Sequence, residues 1–263
     1  MDGQVQQHDQ WLGVPGGEVF VRIWQPLEER GVPLLLLHDS LGSVAQWRDW
    51  PAQLTRACGR RVIAYDRLGF GASSVQQGPL GLDFIADEAR IVVPAVLDGL
   101  GVGEFAVLGH SVGGAMALSL AASLAPRCVA VVSIAAQAFI EPRTLAGIEQ
   151  ARLAFADPGQ RARLGRWHGE RTDWVLSAWI DTWTAPGFAG WSLAALLPQV
   201  RCPALVIHGQ EDEYGSVAFP QAIAAGVSGP VQLLILPGCG HVPQREQPQP
   251  TTTAVVDFLA AQA

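Results

Sequence analysis

A serine set between glycines, Gly109-His110-Ser111-Val112-Gly113, is the residue of this chain best placed by its spacing to act as a nucleophile. Residues 105–108 before it are apolar and of β type, and residues 114–125 after it are small or apolar with no breaker until Pro126. The pattern reads as strand, very tight turn and buried helix, with Ser111 at the apex. The glycines let the backbone turn without a Cβ clash. Behind Ser111 the Val112 N–H and the helix dipole favour negative charge developing on a substrate oxygen. A capping serine in a Gly-rich turn gives the same local pattern, so the case depends on the rest of the chain.

A serine hydroxyl is a poor nucleophile at neutral pH and needs a base to take its proton and an acid to orient that base. Both follow later apolar runs. Residues 204–208 (A-L-V-I-H) lead into G-Q-E-D-E, and residues 231–236 lead into P-G-C-G-H. Asp212 and His241 therefore occupy loops after strands, in the chain order Ser, Asp, His, with Glu211 directly beside Asp212. In a parallel sheet such loops share one edge.

The elements that must position these groups repeat with a βα period. Residues 18–24 alternate as an antiparallel edge strand with a partner near 10–14, while 33–38, 62–65, 105–108 and 128–134 are continuous apolar runs, as strands covered on both faces are. Residues 82–100 read as one helix kinked at Pro94. Between 136 and 200 no buried-strand run occurs, and five of the nine tryptophans (Trp167, Trp174, Trp179, Trp183 and Trp191) fall there. That stretch reads as a helical insertion. Helices near 217–225 and 251–261 flank the last strand. The fold class is α/β, a mostly parallel, doubly wound sheet, divided as 1–135, an inserted 136–200 and 201–263.

Composition narrows the partners. The chain is 49% hydrophobic and 16% charged with net charge −7, and it has no basic cluster, which argues for a buried globular core and against nucleic acid. Cys58, Cys128, Cys202 and Cys239 are scattered without metal-ligand spacing and read as reduced thiols. The opening M-D-G-Q-V-Q-Q-H-D-Q has no signal-peptide core, and no apolar run nears the ~18–20 residues of a membrane span. A cytoplasmic protein acting on a small molecule, without metal or cofactor, is expected; oligomeric state is left open.

Four motifs in order make the chain similar to α/β-hydrolase-fold enzymes over essentially its whole length. They are G-H-S-V-G-G at 109–114, D-R-L-G-F-G-A-S at 66–73, H-G-Q-E-D at 208–212 and G-C-G-H-V-P-Q-R-E-Q-P at 238–248. The resemblance implies Ser111 as nucleophile, His241 as base and Asp212 as the acid that orients it. It also implies an oxyanion hole from the N–H groups of Val112 and Ser40, and a helical lid at 136–200, after the sixth strand. Where the family commonly has H-G-x-x-G, this chain has His38-Asp39-Ser40-Leu41-Gly42. Asp39 would keep the loop by tolerating left-handed backbone angles; otherwise its carboxylate would disfavour anionic substrates or raise the His241 pKa.

Asp39, Leu41, His110, Trp47, Trp179, Trp183 and Val242 are the candidate pocket residues. Trp47 is read chiefly as packing, His38, His110 and His208 as hydrogen-bonded structural residues, and His168 and Asp173 as solvent-facing. A serine at the elbow argues against haloalkane dehalogenases and epoxide hydrolases, which use aspartate there. The expected activity is cleavage of a small, largely apolar ester, thioester or lactone through an acyl-enzyme. Hydrolysis of a carbon–carbon bond by the same residues, or a ligand receptor on the same fold, are the alternatives.

Overall fold

Continuous apolar runs form the centre of an eight-stranded sheet ordered β1-β2-β4-β3-β5-β6-β7-β8 in a computed structural model that describes residues 5–262. The strands are β1 (Gln6–Val14), β2 (Gly17–Gln25), β3 (Leu34–Leu37), β4 (Val62–Tyr65), β5 (Phe105–His110), β6 (Cys128–Ile134), β7 (Ala204–Gly209) and β8 (Val231–Leu236). β3 to β8 run parallel, whereas β1–β2 and β2–β4 are antiparallel. Residues 1–4 of the polar opening lie outside the described residues.

Alternation in β3 shows how the sheet is covered. Leu35 and Leu37 face a core shared with the helices Val93–Gly99 and Val112–Ser123. Leu34 and Leu36 face a second core closed by Trp50–Cys58 and Pro248–Ala260. Burying both faces is what allows leucine at every position of this strand.

Two expectations need correction. β2 is not the edge: β1 lies outside it and pairs along its full length, from Gln6 with Gln25 to Val14 with Gly17. The first half of β1 is polar, so its pairing is carried by the backbone ladder and leaves no apolar pattern. The helix expected over 82–100 is broken into Phe84–Asp87, a π-helical turn Glu88–Val92 and Val93–Gly99. Pro94 has no N–H and its ring crowds the carbonyl four residues back, so the helix widens before it.

Between β6 and β7 the chain forms the helices Pro142–Ala154, Pro158–His168 and Thr172–Thr184, the last two joined by the 3-10 turn Gly169–Arg171, and two more 3-10 turns, Pro186–Phe188 and Leu197–Gln199, follow. The backbone pairing there is a single bridge, Phe139 with Ser192. Among the described residues no helix is long and apolar enough to cross a membrane.

Helix Val112–Ser123 lies tight against the sheet because glycines remove the obstacles. A methyl group on Gly109 would overlap the Gly113 carbonyl, and one on Gly113 would overlap the Leu37 carbonyl. Helix propensity alone would make Gly113→Ala stabilising by about 1 kcal/mol. We expect the reverse, a loss of about 1–3 kcal/mol, seen as a thermal midpoint lowered by ~3–10 °C. A midpoint equal to or above wild type would contradict this packing.

Candidate active site

Ser111 sits between β5 and helix Val112–Ser123 with φ 57° and ψ −126°, a conformation that L-residues rarely adopt. Its N–H donates to the Ile134 carbonyl at 2.8 Å, and its own carbonyl accepts from Gly114 N–H at 2.8 Å. These bonds hold the strained turn and aim Oγ out of the sheet edge.

The loops after β7 and β8 bring the other two groups to it. His241 Nε2 lies 3.0 Å from Ser111 Oγ, and His241 Nδ1 lies 2.8 Å from Asp212 Oδ2. Asp212 is fully buried, and its Oδ1 accepts the Tyr214 N–H at 2.7 Å. A carboxylate only accepts, so Nδ1 carries the imidazole proton and Nε2 turns its lone pair to the serine. Burial alone would lower the His241 pKa, but the charge and hydrogen bond of Asp212 raise it above the ordinary 6.5. Burial would raise the Asp212 pKa, and His241 brings it below the ordinary value. Neighbouring Glu211 is exposed.

The histidine loop is tied down around His241. Glu246 accepts the N–H groups on either side, Gly240 at 2.6 Å and Val242 at 2.8 Å. His110 Nε2–H donates to the His241 carbonyl at 2.8 Å.

Across the site, the loop after β3 is ordered by buried polar groups. His38 Nδ1–H donates to the Asp39 carbonyl at 2.8 Å, and its Nε2 accepts the Arg67 N–H at 3.1 Å. Arg67 Nη2 donates to the same Asp39 carbonyl at 2.9 Å. Asp39 Oδ1 accepts the Leu41 N–H at 2.9 Å. Asp39 is not among the residues with positive φ, so the left-handed role expected for it does not apply. A side-chain turn replaces the missing glycine. Among the described residues, neither the Val112 N–H nor the Ser40 N–H is taken up by an acceptor.

A cavity of ≈ 100 Å³ opens on Ser111 and His241, and Asp39, Ser40, Leu41, Trp179 and Trp183 line it. Gln137, Thr144, Ile148 and Tyr214 line it too and were not anticipated. Position offered a signal for two of them, since Gln137 follows the end of β6 and Tyr214 follows Asp212 by two residues. Thr144 and Ile148 share a face of helix Pro142–Ala154, which nothing in the sequence connects to the site.

Three expected lining residues lie elsewhere. His110 is buried behind the site between the His241 carbonyl and Asp39, whose Oδ2 is 3.4 Å from its Nδ1. Trp47 stacks on Trp50 in the core on the far face of the sheet. Val242 contributes its N–H to Glu246 and is not part of the cavity wall. His208 donates to the Gly215 carbonyl at 3.2 Å. Asp173 is exposed and pairs with Arg161.

His168 is a larger correction. It is 1% exposed rather than solvent-facing. Its Nδ1 accepts the Gly71 N–H at 3.1 Å and its Nε2–H donates to the Leu41 carbonyl at 2.9 Å. Arg171, three residues on, donates to the Gly71 and Ser73 carbonyls. Together they fasten the inserted helices to both loops beside the cavity.

Comparison with known proteins agrees with this architecture. The model of the alpha/beta hydrolase family matches residues 34–254, and the chain belongs to that family. It is a hydrolase by that membership and by its relatives. It is 26% identical over 260 residues to a 2-hydroxy-6-oxo-2,4-heptadienoate hydrolase of Pseudomonas putida, covering 88% of this chain and 90% of that protein. It is 29% identical over 252 residues to a 2-hydroxymuconate semialdehyde hydrolase of a Pseudomonas species, covering 88% and 87%. Among solved structures, proline iminopeptidase of Mycobacterium smegmatis superposes with a TM-score of 0.77 at 21% identity, over 97% of this chain and 98% of that one.

The buried histidines give stability a pH dependence of known sign. Burial pulls His38, His168 and His208 below the ordinary imidazole value of 6.5, so each binds its proton less readily folded than unfolded. Their contribution is fully present above 6.5 and is lost as pH falls below it, on the order of 1 kcal/mol per pH unit for each group. His241 has the opposite sign: its contribution is present below 6.5 and lost as pH rises through its raised value. Three groups against one predict a thermal midpoint that falls between about pH 7.5 and about pH 5.5, with a smaller fall in His168→Gln. A midpoint that is flat or rises on acidification would contradict the assignment.

Proposed function

We propose that the chain is a serine hydrolase that cleaves a small, largely apolar ester, thioester or lactone through an acyl-enzyme. The observation that carries this reading is the unbroken relay Ser111–His241–Asp212, at 3.0 and 2.8 Å, facing two untaken N–H groups. Ser111 Oγ attacks the substrate carbonyl as His241 Nε2 takes its proton. The oxygen that becomes negative is received by the Val112 and Ser40 N–H groups. The tetrahedral intermediate collapses, the acyl–oxygen or acyl–sulfur bond breaks, and His241 returns the proton to the leaving group. Water then repeats the sequence on the acyl-enzyme, with His241 again as base.

Segment 136–200 acts in this reading as a lid, with Trp179 and Trp183 forming its inner wall. The ≈ 100 Å³ cavity supports a small acyl group. Four free thiols support a reducing, cytoplasmic setting. A second reading, hydrolysis of a carbon–carbon bond by the same three residues, is supported by the names of the two Pseudomonas relatives.

An activity panel of esters, thioesters and lactones on wild type and Ser111→Ala tests the proposal. The variant is expected to lose at least ~10³-fold in kcat. In wild type, kcat/KM falls on acidification through a pKa above 6.5, that of His241, and Asp212→Asn moves this limb to lower pH. Near-equal activity of Ser111→Ala, or an acid limb indifferent to Asp212, would overturn it.

A further inference from the structure

The cavity over Ser111 is unbalanced in charge. Asp39 supplies its only carboxylate, and no arginine or lysine lines it. One Asp39 oxygen is engaged by the Leu41 N–H, while the other lies 3.4 Å from His110 Nδ1, and the side chain keeps 29% of its surface open. The nearest guanidiniums are turned to other work. Arg67 donates to the Asp39 backbone carbonyl and stacks over Phe70 at 4.2 Å. Arg245 donates to the Gln46 carbonyl at 2.7 Å.

The rest of the wall is mostly apolar: Leu41, Ile148, Trp179 and Trp183 line it, and aromatic faces receive cations more readily than anions. Tyr214, pushed up to about 12 chiefly by burial, stays neutral.

From this arrangement we infer that Asp39 sets the charge selectivity of the cavity, turning away acyl groups that carry a carboxylate and admitting neutral or cationic groups of the same size. An anionic group entering this ≈ 100 Å³ cavity would give up part of its hydration and meet a like charge with no arginine or lysine on the wall. Asp39 is thus a specificity-determining residue. The consequence bears on the two readings above, because a dienoate is itself a carboxylate. Hydrolysis of neutral esters is favoured over cleavage of dienoate-type substrates. The inference rests on the hydrolase reading only in taking this cavity as the acyl pocket.

Binding without turnover tests it separately from that reading. Succinamate, butyramide and 4-aminobutyramide each offer a neutral amide head to the Val112 and Ser40 N–H groups and differ in the charge at the far end of the chain. Their dissociation constants are measured by tryptophan fluorescence in Ser111→Ala, at about pH 8.5, well above the ordinary histidine range. Succinamate is expected to bind at least ~10-fold more weakly than butyramide, and 4-aminobutyramide at least as tightly as butyramide. Adding Asp39→Asn, whose amide oxygen still accepts the Leu41 N–H, is expected to bring succinamate within ~3-fold of butyramide. Asp39→Ser checks the same shift with a smaller acceptor. Succinamate binding as well as butyramide would overturn the inference, as would an order unchanged by either substitution or no measurable binding of any of the three. Retained hydrolysis in Ser111→Ala would instead overturn the hydrolase reading and leave the binding order to be judged by itself.

Discussion

Backbone against backbone, with no side chain between, is how helix Val112–Ser123 meets the sheet at Gly109, Gly113 and Leu37. That close approach forces the reversal of direction into one residue, and Ser111 takes the positive φ that the turn requires. Such a backbone costs about 1–3 kcal/mol, offset here by its hydrogen bonds to Ile134 and Gly114 and by the two buried cores. The same turn leaves the Val112 N–H pointing away from any acceptor. Position of the hydroxyl and availability of the donor are therefore one constraint, set by two glycines.

Around that turn, the loops at the sheet edge are held by polar groups that never reach the cavity. Glu246 braces both N–H groups flanking His241, and His110 holds its carbonyl. His38 and Arg67 fix the Asp39 carbonyl from opposite sides. His168 and Arg171 then bind the inserted helices to these loops. Apart from the exposed Glu246, each is a buried or half-buried group whose partners are backbone atoms, so the site is positioned largely by satisfying polar atoms that could not be left unpaired in the interior.

This division explains what could be read from residues alone. Parallel strands leave long apolar runs, and the loops bearing Asp212 and His241 follow from the rule that such strands share a carboxyl edge, so this part of the fold and site was legible. The first half of β1 was not, because its pairing is carried by backbone atoms. His168 was misread as solvent-facing, since its partners, Gly71 N–H and the Leu41 carbonyl, are backbone groups about a hundred residues away in the chain. Of the two roles expected for Asp39, through its backbone angles or through its carboxylate, the first does not apply, and its side chain orders the loop instead. Trp47 and Trp179 are the same residue type, yet one faces a core and the other the cavity, which only the packing of the insertion decides.

Trapping the acyl-enzyme addresses the chemistry most directly. Wild-type protein quenched with acid during turnover of a p-nitrophenyl ester, then digested and analysed by mass spectrometry, should carry the acyl mass on the peptide containing Ser111. The adduct should persist longer in His241→Ala once formed, because the base proposed for deacylation is gone. Turnover with no adduct, or with the acyl group on a different residue, would contradict the assignment of Ser111 as nucleophile.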